Sequence, residues 1–254
     1  MIVVTGLGRS GTSLVARLYK DLGFDPGGEW LPEVRAGFED WDIVRANAAI
    51  VSDLRMSMTE DKWTHERLRR EMSPEARREQ AGLAFKAREI VESLAMRMMG
   101  RSSTQVALLP WDRFDAVLAQ HAPRLRELAA SKVVVKDPRF TWTLPLWTAA
   151  GAQIDHVLLC TRNVDAIVDS RNKANQIVFH TPEAAKNAFI YGFGLCVTTL
   201  IDHRIPYDVV RFPDFTSTPD DLYRAMRFPA PVSPERFREI FDRALDRASI
   251  HDER

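Results

Sequence analysis

The chain opens with an apolar run, Ile2-Val3-Val4, that stops at glycines and gives way to Leu14, Val15, Leu18 and Leu22 at helical spacing. This pattern predicts a strand, a tight loop and a helix. Further β-rich runs lie at Lys132-Val133-Val134-Val135-Lys136, halted by Asp137-Pro138, at residues 154–160 before Thr161-Arg162-Asn163, and at residues 207–211. Continuous apolar runs of this kind predict strands buried on both faces, and the helical patterns between them favour a parallel sheet covered by helices. Three helices are expected to start at Ser73-Pro74, Thr218-Pro219 and Ser233-Pro234, where the hydroxyl caps an orphan amide and proline takes the first turn. The last of these continues with Phe237, Ile240, Phe241, Ala244 and Leu245 on one face. Between the first and second strands lies a long stretch with an amphipathic pattern at Leu83, Ala84, Ala87, Ile90, Val91, Leu94 and Met98. It is too long for a simple crossover, so residues 25–105 are expected to be helix-rich, partly an insertion after the first βα unit that roofs a site beside the sheet. The whole chain, 1–254, reads as a single α/β domain of three layers with a central parallel sheet.

Composition narrows the partners. With 45% hydrophobic and 28% charged residues in 254, the chain is neither disordered nor collagen-like. Lys plus Arg (35) equals Asp plus Glu (35), so no overall field draws it to nucleic acid or an acidic membrane, and any anion must be held locally. Cys160 and Cys196 sit among apolar neighbours without metal or redox spacing, and the six histidines form no metal-ligand pattern. The start Met1-Ile2-Val3-Val4-Thr5-Gly6 lacks a signal-peptide core, and no apolar run reaches spanning length. A cytoplasmic chain with no membrane span, no nucleic-acid partner and no metal is expected; its oligomeric state is left open.

The loop Thr5-Gly6-Leu7-Gly8-Arg9-Ser10-Gly11-Thr12-Ser13 joins the first strand to the first helix, where free amides and the helix dipole make an anion site. The bland alternative is a merely tight glycine turn. Gly6-x-Gly8-x-x-Gly11 fits the dinucleotide fingerprint, but that unit needs a following strand, and Phe24-Asp25-Pro26-Gly27-Gly28-Glu29-Trp30 is turn material. Residues 6–13 also fit the nucleotide P-loop pattern, except that Thr12 stands where the lysine belongs and Arg9 supplies a cation inside the loop. Enzymes that use nucleoside triphosphates need that lysine and Mg²⁺ for the β- and γ-phosphates. A donor without a triphosphate does not.

At Arg9-Ser10-Gly11-Thr12-Ser13 the chain resembles the sulfotransferases that use 3′-phosphoadenosine-5′-phosphosulfate (PAPS). The resemblance implies a three-layer P-loop fold, in which Gly8, Arg9, Ser10, Gly11, Thr12 and Ser13 bind the 5′-phosphosulfate and Arg9 contacts the transferring group. Arg162-Asn163-x6-Ser170 resembles the element of that family that grips the 3′-phosphate; a guanidinium can bind phosphate in bidentate fashion and a hydroxyl two turns along can add a bond. Lys136-Asp137-Pro138-Arg139 is similar to a segment of tyrosylprotein and bacterial sulfotransferases, which assigns Lys136 to the transferring group; Asp137 and Arg139 read equally well as a structural pair. Gly37-Phe38-Glu39-Asp40 resembles a bacterial segment downstream of the loop and implies Glu39 as the base, whereas Glu29 lies about where tyrosylprotein sulfotransferases carry their catalytic glutamate.

The expected activity is transfer of a sulfuryl group from PAPS to a hydroxyl or amine of a small-molecule, carbohydrate or lipid acceptor, leaving PAP, with no metal required. The chain departs from the cytosolic members of that family: after Tyr207 there is no basic glycine-rich segment to close over the nucleotide. Trp30, Trp41, Trp63, Trp111, Trp142 and Trp147 are acceptor-stacking candidates or core residues, and Arg67, Arg69, Arg70, Arg77 and Arg78 read as a solvated helix face or, alternatively, as a surface for an acidic acceptor. The rival readings are a P-loop kinase of a small metabolite using ATP and Mg²⁺, an NAD(P)-binding oxidoreductase, and a nucleotide-binding protein without catalysis.

Overall fold

The computed structural model describes residues 1–31, 36–54, 111–173 and 182–252. The expected helix start at Ser73-Pro74, the pattern over residues 83–98, the Arg67–Arg78 cluster and Trp63 lie outside them. Four strands, β1 (Ile2–Gly6), β4 (Val134–Lys136), β5 (His156–Arg162) and β6 (Tyr207–Phe212), form one parallel sheet in the order β4-β1-β5-β6. All four arise where the continuous apolar runs predict them. Alternate side chains feed opposite cores: Val3, Val135, Val157 and Leu159 face one side, and Val4, Val134, Leu158 and Cys160 the other.

Helices cover both faces. One core holds α2 (Trp41–Asp53), α3 (Trp111–Ser131), α4 (Phe140–Ala149) and α6 (Pro182–Asp202), with Trp147 fully buried at its centre. The other holds α1 (Thr12–Asp21), α7 (Pro219–Ala225) and α8 (Pro234–Asp252), whose Phe237, Ile240, Phe241 and Ala244 are all buried as their spacing predicts. Ser233 caps α8 by accepting the Arg236 amide at 3.3 Å. Thr218 precedes α7 without capping it through its side chain. No described helix is long and apolar enough to cross a membrane.

Of the stretch expected to be helix-rich, only 25–31 and 36–54 are described, and they hold a hairpin as well as a helix. The hairpin, β2 (Gly28–Leu31) and β3 (Ala36–Glu39), is paired antiparallel and separate from the main sheet, before α2 begins. Residues 28–30, read as turn material, are strand instead, and Gly27, at φ 133, lies against the open end of the hairpin, where a Cβ would stand 2.1 Å from the Glu39 carbonyl carbon. Among the described residues the next parallel strand after β1 is β4, and the chain crosses back over β1 to reach β5. The connection from β1 runs to one face through α1, and that from β5 through α5 (Val164–Lys173) to the other, where α5 packs on α6. The crevice beyond the carboxyl ends of β1 and β5 is thus a topological switch point, where ligands of open α/β sheets bind.

Gly6 ends β1 at φ 144, and a Cβ there would lie 2.0 Å from the Cys160 carbonyl oxygen on β5. Gly6→Ala is expected to destabilise the fold by roughly 3 kcal/mol or more, checked by urea unfolding, because both the backbone angle and the strand spacing forbid the methyl.

Candidate functional site

The loop after β1 is held by its neighbours rather than by its own bonds. Leu7 inserts into a small apolar cluster with Ile167 and Val168 of α5 and Phe189 of α6. Ser10 is buried and donates its hydroxyl to the Cys160 carbonyl at 3.1 Å. The Cys160 thiol itself, pushed up to about 12 by burial, stays protonated and unreactive. Gly11 is the N-cap of α1 at φ 86 and has no side-chain cap; a Cβ there would meet the Phe212 and Phe215 rings at 2.9 Å. Leu14 and Val15 donate to the Gly11 carbonyl at 3.0 and 3.2 Å, so the helical ladder begins beyond Ser13 and the preceding amides belong to the orphan set of a helix start. Gly8, Arg9, Ser10, Gly11, Thr12 and Ser13 all lie in this turn or the first residues of α1, with Thr12 buried and Arg9 exposed.

Arg162 and Ser170 arrive at the same turn from the far side. Arg162 ends β5 and donates from Nη1 to the Arg9 carbonyl at 3.2 Å, its guanidinium carbon 5.1 Å above the Phe212 ring. Its Nε is buried and has no hydrogen-bond partner among the described residues. Asn163 starts α5 by accepting the Ala166 amide at 3.1 Å on its side-chain oxygen. Two turns along, Ser170 accepts the Arg9 Nε hydrogen bond at 3.0 Å. Ile167 and Val168, buried against Leu7, set the face on which Ser170 meets the loop.

A second group of polar residues lies at the carboxyl end of β4, beside β1. Lys136 is 3% exposed and donates both to the Glu39 carboxylate and, at 3.0 Å, to the Gly37 carbonyl, so the hairpin caps this strand end. Burial holds the Glu39 carboxyl above the usual carboxylate range, against the pull of the lysine. Glu29 lies in β2 with its backbone opposite Gly37. Asp137 is fully buried; it accepts from Asn47 Nδ2 at 2.9 Å, from the Arg139 amide at 2.9 Å and from Arg139 Nη1 at 3.0 Å. Asp137 and Arg139 are therefore the structural pair that their spacing allows. Asn47 in turn accepts from Thr143 at 2.7 Å and Trp147 Nε1 at 2.8 Å. Thr5 of β1 donates to the Asp137 carbonyl at 2.9 Å and ties this strand end to the glycine loop's own strand.

The sequence-predicted residues thus fall into two groups along one sheet edge: Arg9, Arg162 and Ser170 beside the loop, and Lys136 with Glu39 at the end of β4. Trp142 and Trp147 are core residues, 6% and 0% exposed, rather than acceptor platforms. Sequence reasoning missed Phe212, Asn47 and the Gly37 carbonyl. Phe212 lies one residue past the strand expected at 207–211 and Asn47 within the stretch expected to be helix-rich, and neither residue type marks a site; only the Gly37-Phe38-Glu39-Asp40 resemblance pointed near the third.

Asn47→Ala would strip a fully buried carboxylate of one donor and leave Trp147 Nε1 without its acceptor, while Thr143 keeps the Arg139 carbonyl. It is expected to cost about 2–4 kcal/mol of stability, measured by chemical denaturation. Comparison of the chain with protein-family models, with curated proteins and with solved structures finds no match.

Proposed function

We propose that this chain is a PAPS-dependent sulfotransferase built as a three-layer P-loop domain, moving a sulfuryl group to a hydroxyl or amine of a small-molecule, carbohydrate or lipid acceptor. One observation carries the reading. Arg9 and Ser170, 161 positions apart, hydrogen-bond beside an uncapped helix start, and Arg162 bonds the same loop. A turn of amides with two guanidinium groups and a hydroxyl suits a ligand carrying two anionic ends. The missing lysine at Thr12 disfavours a nucleoside triphosphate. Among the described residues the chain after α1 enters the hairpin β2–β3, outside the parallel sheet, which disfavours a dinucleotide unit. Two buried free thiols suit a reducing, cytoplasmic setting.

In this reading the amides from Gly8 to Ser13 hold the 5′-phosphosulfate, and Arg162 with Ser170 holds the 3′-phosphate. The acceptor oxygen attacks sulfur in line while the bond from sulfur to the bridging oxygen breaks. Negative charge that develops on that bridging oxygen meets Lys136, which a small motion of its flexible stem brings from Glu39 and Gly37 toward β1. The acceptor proton passes to Glu39, which burial makes a stronger proton acceptor than an exposed carboxylate, and Glu29 is the second choice. PAP and the sulfated acceptor then leave, with no metal needed.

Thermal-shift titration is expected to show PAP raising the melting temperature without metal, and ATP with Mg²⁺ or NAD failing to do so. Protection by ATP with Mg²⁺ alone would establish the kinase reading instead. By calorimetry, Arg162→Ala should weaken PAP binding by about 1.5–3 kcal/mol, the worth of a hydrogen bond to a charged group. Glu39→Gln should leave PAP affinity unchanged and slow PAP formation from PAPS, assayed across hydroxyl acceptors, by roughly a hundredfold; the same loss in Glu29→Gln alone would move the base to Glu29.

A further inference from the structure

The role that the family resemblance gives to Arg9, contact with the transferring group, is at odds with where its side chain lies. Arg9 is exposed and has φ 70, in the left-handed region that a non-glycine residue rarely occupies. From that backbone its carbonyl accepts Arg162 Nη1 at 3.2 Å, while its own Nε donates to Ser170 at 3.0 Å. Both ends of the residue are thus committed to the pair read as the 3′-phosphate grip. The charge on Arg162 is steadied from below by the Phe212 ring at 5.1 Å, and the same ring packs against Gly11.

We infer that Arg9 belongs to the 3′ end of the nucleotide: Arg9 and Arg162 form a two-arginine clamp, bridged by Ser170, for a terminal phosphate monoester. The inference rests on the donor reading above and changes the division of labour within it. A phosphate monoester carries a charge near −2 at neutral pH, so two guanidinium groups match it where one does not. Ser170 accepts from Arg9 with its oxygen and keeps its own O–H free to donate, so the phosphate can join the existing arrangement without breaking it. The 5′-phosphosulfate, whose two charges are spread over separate groups, is then left to the loop amides and Lys136. Specificity follows: the clamp selects nucleotides bearing a 3′-phosphate over the corresponding 5′-nucleotides.

The test is calorimetric titration of the full chain and its Arg9→Ala, Arg9→Lys and Ser170→Ala variants with PAP and with 5′-AMP, which lacks the 3′-phosphate. Unchanged melting temperatures establish that this exposed residue can be altered without unfolding. Arg9→Ala is expected to weaken PAP by about tenfold or more and 5′-AMP by less than about twofold, with Arg9→Lys recovering part of the loss. Arg9→Ala and Ser170→Ala combined should cost less than the product of the separate losses, because they share one bond. Equal weakening of PAP and 5′-AMP by Arg9→Ala would return Arg9 to the 5′ end, and no weakening of either would make the Arg9–Ser170 bond a surface contact only; both overturn the clamp. A wild-type chain that binds neither nucleotide overturns the donor reading itself, a result distinct from any pattern among the variants.

Discussion

Everything at the sheet edge depends on β1 being hydrogen-bonded in parallel to β4 on one side and β5 on the other. Parallel registry brings the carboxyl ends of three strands to one level: Gly6 lies opposite Cys160, and Val4 opposite Lys136. The approach is so close at Gly6 that no side chain fits between the strands. A loop leaving β1 there must pass directly over the end of β5, and Ser10 fastens it by donating to the Cys160 carbonyl. Arg162, two residues further along β5, then reaches the loop without any long-range arrangement of its own. The same strand pairing places the Lys136 end of β4 beside Thr5. A basic loop, a second arginine and a buried lysine are thus neighbours because of strand order, before any side-chain energetics are considered.

What holds these ends in place differs between the two groups. Beside the loop the packing is apolar: Leu7 locks into α5 and α6, and Phe212 with Phe215 closes on Gly11. At the end of β4 the support is polar and buried, a network running from Trp147 through Asn47 to Asp137 and Arg139. Such a network tolerates little: each member is satisfied only while the others stay, which makes it rigid and costly to interrupt. That rigidity suits a strand end that presents a lysine. The loop side, by contrast, buries Ser10 and Thr12 but leaves Arg9 exposed, which suits the proposed entry and release of an anion.

The strands and the site loop were legible in the sequence because buried parallel strands read as uninterrupted apolar runs and because glycines at a strand end mark a turn. The hairpin β2–β3 was not. Gly28, Glu29, Trp30 and Leu31 carry no alternation that distinguishes a four-residue strand from a turn, and the pairing is irregular, with register shifts at Glu29 and Leu31. Glu39 was legible as a carboxylate of interest, but its partner was not: that Lys136 lies 97 positions away and bonds it follows from where the hairpin folds. Phe212 was invisible for a related reason. An aromatic residue in a strand reads as core, and only the placement of Arg162 over its ring gives it a part in the site.

The Lys136–Glu39 pair shows how burial and charge divide the work at such a site. Removing both groups from water penalises each ion, and the attraction between them offsets part of that penalty. Burial dominates at the carboxyl, whose pKa lies above its ordinary value despite the adjacent ammonium and the Arg139 guanidinium. A carboxyl in this position takes up a proton more readily than one in water. Should Lys136 swing toward an anionic leaving group, Glu39 loses its closest cation, and its affinity for a proton rises further. Movement of the lysine and uptake of a proton by the glutamate are therefore coupled in the same direction. In the proposed transfer that coupling is productive, since the proposal needs the cation on one side of the reacting group at the moment it needs the base on the other.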